Sequence, residues 1–287
     1  MFQCFLFKGV TIAQTKTNMA KRALRILILS VYFIALFADC YMLYHGKFEK
    51  RFLCRPLLMP CLMIYLSTRK SVKTKTDTPF RIEIVLLWMV LGLSWVSDIL
   101  ATRSTFYSLL ACLSLFLLIY PLYTYMLVKL WKRMLPLDTP IKLSVLNVGV
   151  LIATFFVGAV YLKFILHIGF KFVNAPLYIN VLLLSVLAAT VSTLATFPKM
   201  YPAIYQIVGA VLFILIANAA YAYADFAASE INIQLYVLVA LGYGLSQLLM
   251  VGGVVRFFKM SQLEKEELFN KKNQELREQR NSFYSNI

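Results

Sequence analysis

Long apolar stretches, separated by short polar breaks that often carry proline, run along almost the whole chain. Eight of them reach the roughly 17 to 25 residues that a helix needs to cross a hydrocarbon core of about 30 Å. Their approximate limits are 22–45, 52–68, 83–101, 105–130, 141–167, 175–196, 203–226 and 233–258. Thr78-Pro79 precedes the third, Pro136 and Pro140 part the fourth from the fifth, and Pro198 and Pro202 precede the seventh. Proline cannot continue the backbone ladder of a preceding helix, so these positions mark the divisions. The pattern predicts an all-α fold, a polytopic membrane helix bundle of about eight transmembrane helices. Residues 1–21 form an N-terminal segment, 22–258 the membrane domain and 259–287 a charged tail.

Lysine and arginine alternate sharply between the two sides of this arrangement. With the N-terminus inside, 22 of the 29 basic residues fall on the inner side and 7 on the outer. Such a bias orients membrane proteins, and it predicts that both termini are cytoplasmic. The tail carries Glu267 four residues before Lys271, a favourable helical pair, and reads as a solvated cytoplasmic helix. Hydrophobic residues make up 61% of the chain, against roughly 45 to 50% in a soluble domain. Little besides the tail lies outside the spans, so function is sought within the bilayer. The layout reads as a multi-pass protein of a bacterial-type inner membrane.

The net charge of +16 raises the question of nucleic acid. Here the basic residues flank apolar runs rather than interleave with aromatics in one patch, so no nucleic-acid partner is expected. The five cysteines, Cys4, Cys40, Cys54, Cys61 and Cys112, contain no CxxC pair and indicate neither a disulfide framework nor a zinc site. Asp39-Cys40 suits a lipoprotein cleavage site poorly, and residues 26–44 read as an uncleaved span.

A charged side chain costs about 2.5 to 3.5 kcal/mol at the bilayer centre, so each one inside a span asks for a reason. The candidates are Asp39, Asp98, Lys163, Asn218 and Asp225, with the amide of Gln247 in the last span. A rise of about 1.5 Å per residue puts Asp98 about 9 Å outward of the midplane. Asp39, Arg55, Asn218 and Asp225 fall in the outer halves or ends of their spans, which suggests a polar pocket toward the outer leaflet. Asp39 and Asp225 lie near helix ends and are expected to reach the headgroups. Ser94 and Thr102, one turn on either side of Asp98, can hydrogen-bond its carboxyl group. A carboxyl group held in this way suits a general acid.

Other chemistry finds no support in the motifs. Neither serine region completes a G-x-S-x-G elbow, no H-E-x-x-H occurs, and His45 and His167 each stand alone at a span end. No metal and no cofactor are expected, which leaves carboxylate chemistry or none.

Four segments share a pattern with one known family. Arg55-Pro56-Leu57-Leu58-Met59-Pro60 resembles a basic-Pro-Leu stretch opening the second span, and LGLSWVSDILA resembles a first acidic motif ending in Gly-Asp, with Ser97 in place of the glycine. VLFILIANAAYAYADF resembles a second acidic motif, and GYGLSQLLMVGG the last span, with Tyr243 and Gln247 on matching positions. Over about residues 30–258 the chain resembles the YhhN family of integral membrane proteins, whose characterised members are lysoplasmalogenases. The resemblance implies hydrolysis of the vinyl ether of a lysoplasmalogen to a fatty aldehyde and a glycerophospho-alcohol. It also implies a lysophospholipid-type membrane lipid as the partner. Asn218 stands where the family has a second aspartate and Tyr120 where a histidine is usual. The implied catalytic set is Asp98 and Asn218 with Asp225, Asp225 or Asp39 supplying the second carboxylate, and the implied substrate contacts are Arg55, Ser94, Tyr120, Tyr243 and Gln247. Two other readings stay open: a non-catalytic lipid-binding or structural protein of the same fold, and a small ion- or proton-coupled transporter. Oligomeric state is open as well.

Overall fold

The computed structural model describes residues 2–69, 81–102, 106–134, 201–224 and 233–285, with isolated positions between 152 and 191. All regular structure among these residues is helical. The helices are α1 (Phe2–Tyr44), α2 (Leu58–Ser67), α3 (Arg81–Ala101), α4 (Phe106–Met134), α5 (Tyr201–Ala222) and α6 (Ile233–Ser285). Two 3-10 turns, Phe48–Leu53 and Arg55–Leu57, fill the link between α1 and α2. Helices dominate because hydrocarbon offers the backbone no hydrogen-bond partner, and a helix satisfies its own amides and carbonyls.

Five stretches are long and apolar enough to cross a membrane: Met19–Tyr44, Arg81–Ala101, Ser114–Lys132, Pro202–Tyr221 and Ile233–Leu263. They correspond to the expected first, third, fourth, seventh and eighth spans. The expected fifth and sixth, with Lys163 and His167, lie outside the described residues apart from isolated helical positions. Large side chains such as Ile34, Phe37, Met89 and Ile216 are exposed, as a lipid-facing surface requires.

The second expected span, 52–68, takes a different form. Its α-helical part, α2, has 10 residues and rises only about 15 Å. Pro56, which has no backbone N–H, sits in the second of the 3-10 turns before it. At the other extreme, α6 runs for 53 residues without a break, joining the last span to the tail. In that tail Lys271 Nζ lies 4.0 Å from Glu275, so the helical pair forms one turn beyond the expected Glu267 partner.

α5 lies along α6, α3 along α4, and α2 touches α1, α3 and α6. Small residues permit the α5–α6 approach. A Cβ at Gly253 would stand 2.7 Å from Ile207 Cγ1 and 3.0 Å from the Ala203 carbonyl oxygen. A Cβ at Gly242 would meet the Ala217 Cβ at 3.0 Å and the Phe213 carbonyl oxygen at 3.1 Å. Without a strong hydrophobic drive between helices in lipid, close backbone packing of this kind supplies the attraction.

Candidate functional site

The site begins where α1 ends. Gly46, at φ +66°, takes the left-handed conformation open to glycine, and its N–H bonds the Leu43 carbonyl at 2.9 Å. The Lys47 N–H reaches back to the Met42 carbonyl at 2.8 Å, completing a Schellman stop. The chain therefore reverses and lays the segment from Phe48 to Leu57, here called the strap, back over the end of the bundle. Phe52, Leu53 and Leu57 on the strap are exposed, whereas Arg51 is buried.

Arg51 meets Asp39 on α1 with two hydrogen bonds, Nε to Oδ1 at 2.8 Å and a terminal nitrogen to Oδ2 at 3.0 Å. The fork of the guanidinium matches the two carboxylate oxygens, a strong and directional arrangement. Burial pulls the Arg51 guanidinium below its ordinary value and Arg55 nearby adds to that, while Asp39 opposes both. Asp39 itself is 1% exposed. It does not reach the headgroups, as its place near a helix end suggests, because the reversed strap delivers a cation to it inside the protein.

Four residues on, the strap delivers Arg55 to Asp98. The Nε of Arg55 donates to Asp98 Oδ1 at 3.1 Å, and Asp98 is 1% exposed. Asp98 Oδ2 has no hydrogen-bond partner among the described residues. The Arg55 guanidinium lies 5.7 Å from the centre of the Tyr243 ring, within range of a cation–π contact. From the α3 side, the Trp95 indole N–H donates to the Pro56 carbonyl at 2.9 Å and ties the strap down.

The hydroxyls one turn either side of Asp98 do not serve it. Thr102 donates to the Ile99 carbonyl at 2.7 Å, a local helix-end bond. The Ser94 Oγ is buried, faces the Tyr243 hydroxyl, and neither oxygen holds a hydrogen bond of good geometry. Asp98 Oδ2, Ser94 Oγ and the Tyr243 hydroxyl are thus each buried with bonding capacity to spare among the described residues. Such groups are few in a folded protein and each asks for an explanation.

α4 extends the polar surface toward α5 and α6. Asn218 donates to the Tyr120 hydroxyl at 3.1 Å and to the Ile214 carbonyl at 2.7 Å. Asn218 and Tyr120 therefore touch each other across α5 and α4. Phe116 stacks on Tyr120 and meets Tyr243 edge-on, with ring centres 5.6 and 6.0 Å apart, which links this pair to the Arg55 side. One turn along α4, Tyr123 donates to Gln247 Oε1 at 2.6 Å. Tyr32 on α1 is fully buried, donates to the Gly244 carbonyl at 2.7 Å, and lies within electrostatic reach of Asp98.

Asp98, Arg55, Ser94, Tyr243, Tyr120 and Asn218 are thus joined through direct contacts or shared aromatic neighbours, while Gln247, one turn beyond Tyr243 on α6, pairs with Tyr123. Asp225 lies outside the described residues. Arg51, Tyr32 and Tyr123 are site residues that span-by-span reading overlooks. Tyr123 had a signal, standing three residues after Tyr120 on the same helix face, and Gly46 was the signal for the chain reversal that turns Arg51 inward. Among the described residues no three His, Cys, Asp or Glu side chains gather as metal ligands do. No family model, no curated protein and no solved structure matches the chain.

Proposed function

We propose that this chain is a membrane hydrolase that binds a lysophospholipid and cleaves its vinyl ether, as the resemblance to the YhhN family implies, with Asp98 as the single acid and base. The observation that carries the reading is the asymmetry of Asp98, whose Oδ1 is held by Arg55 while the buried Oδ2 has no partner among the described residues.

Vinyl ether hydrolysis needs a proton first and a water second. A proton on Oδ2 passes to the β-carbon of the vinyl ether, leaving an oxocarbenium ion beside the Asp98 carboxylate. Water adds to that carbon and gives its proton back to the carboxylate. The hemiacetal then separates into a fatty aldehyde and the glycerophospho-alcohol. One carboxyl group returns to its starting state each turnover, so the reaction does not require the second carboxylate that Asn218 has replaced. Arg55 can turn its terminal amino groups to the substrate phosphate, since its only hydrogen bond among the described residues uses Nε.

Aldehyde release from a 1-alkenyl lysophospholipid by the purified protein tests the proposal. Asp98→Asn is expected to lower the rate by at least about 100-fold, the usual scale for a general acid. Wild-type protein that releases no aldehyde from any vinyl ether lipid sinks it. A second reading, a lipid-binding protein without chemistry, is favoured by the Asn218–Tyr120 hydrogen bond, which joins two side chains that cannot exchange protons as Asp and His do. Saturable lysophospholipid binding without aldehyde release selects that reading.

A further inference from the structure

The Asp39–Arg51 pair takes no part in the chemistry just described, yet it is better formed than the Asp98–Arg55 pair beside it. Both oxygens of Asp39 are occupied, whereas Asp98 has one free. A buried ion pair is weak evidence for stability, because desolvation offsets much of the attraction, and a positional role is its best-attested use. Here the position controlled is visible. Arg51 and Arg55 sit on one ten-residue strap whose outer side chains, Phe52, Leu53 and Leu57, point away from the protein. An apolar outer face does not hold the strap down, since lipid solvates it equally well once it lifts. Among the described residues the strap is held by Arg51 on Asp39, by Arg55 on Asp98, by Phe48 edge-on to the Tyr236 ring and, from the α3 side, by Trp95 on the Pro56 carbonyl; of these only the Arg51 contact is a two-pronged ion pair.

We propose that Asp39 and Arg51 act as a latch that seats the strap on α1 and thereby sets Arg55 against Asp98. Both are positioning residues, working through Arg55 rather than touching substrate. That role in catalysis rests on the vinyl ether reading above, while the seating of the strap does not. Breaking the latch lets the strap lift, so Arg55 loses its fixed placement for the substrate phosphate.

Cys54 lies on the strap between the two arginines, half-buried and with a free thiol. It reports seating in a protein carrying Cys4→Ala, Cys40→Ala, Cys61→Ala and Cys112→Ala. The rate at which a membrane-impermeant maleimide modifies Cys54 is measured in that background with Asp39→Asn. It is measured again with the double change Asp39→Leu and Arg51→Met, which leaves no lone buried charge to prevent folding. Both are expected to speed modification by about ten-fold or more, because the strap opens more often. In the aldehyde assay the same changes are expected to raise KM more than they lower kcat, a split that a mere loss of folded protein does not produce. Unchanged Cys54 modification in the folded double variant overturns the latch. The labelling rate decides this whether or not aldehyde is released, so failure of the latch and failure of the reaction are read separately.

Discussion

Asp98 survives inside the bundle because an arginine from a different element meets it, and this changes how its neighbours are understood. Ser94 and Thr102 stand one turn away on the same helix, yet one bonds nothing well and the other bonds its own backbone. A serine or threonine in a helix finds a nearby carbonyl more easily than a side chain on its own face. Gln247 is the contrasting case, its carbonyl oxygen held at 2.6 Å by the buried Tyr123 hydroxyl. Tyr123→Phe leaves that oxygen without its partner and is expected to cost about 0.5 to 2 kcal/mol, the range for hydrogen bonds inside membrane proteins. Thermal unfolding in detergent measures it; a variant as stable as wild type would show that the Gln247 amide finds another partner. The polar identities of these residues were plain in the sequence, but their pairings were not. Hydrogen-bond partners 98 and 124 residues apart along the chain leave no local pattern.

Helix packing depends on where side chains are absent. Gly253 faces the Ala203 carbonyl oxygen, which cannot move without α5 moving, whereas Gly209 has nothing nearer than Leu249 Cδ1 at 3.6 Å. Gly253→Ala is therefore expected to destabilise the fold by about 1 to 3 kcal/mol through overpacking. Gly209→Ala is expected to be neutral or to add up to about 1 kcal/mol, since alanine is the better helix former. Equal melting temperatures for the two variants would contradict this account of the α5–α6 interface. The long helices were legible from hydrophobic runs and proline breaks. The strap was not, because a mostly apolar run from 52 to 68, preceded by Arg51 and containing Arg55, reads equally as a span. The reversal at Gly46, a single residue in a left-handed conformation, made the difference.

Seen end to end, the described residues form an apolar bundle with the Asp39–Arg51 and Asp98–Arg55 pairs gathered under the strap and a long helical stem leaving the last span. α6 has 53 residues and is about 80 Å long, more than twice the hydrocarbon thickness, so its final turns stand clear of the membrane. From the distribution of lysine and arginine in the sequence, the stem is expected in the cytoplasm and the strap on the opposite side. In sealed right-side-out vesicles, Cys54 is therefore expected to react with an impermeant maleimide, and an Asn270→Cys thiol on the exposed stem only after the vesicles are opened. Reaction of the stem in sealed vesicles would reverse the orientation. The sequence by itself determined that the chain is helical, that it is built for a membrane and which few polar side chains it carries there. These follow from hydrophobicity summed over neighbouring residues, which folding does not alter. Only the tertiary structure decided that Asp39 belongs to Arg51, Asp98 to Arg55 and Asn218 to Tyr120. A buried charge or amide takes whichever partner the packing of helices and the reversal of the chain bring within about 3 Å, and that distance is set by the whole fold.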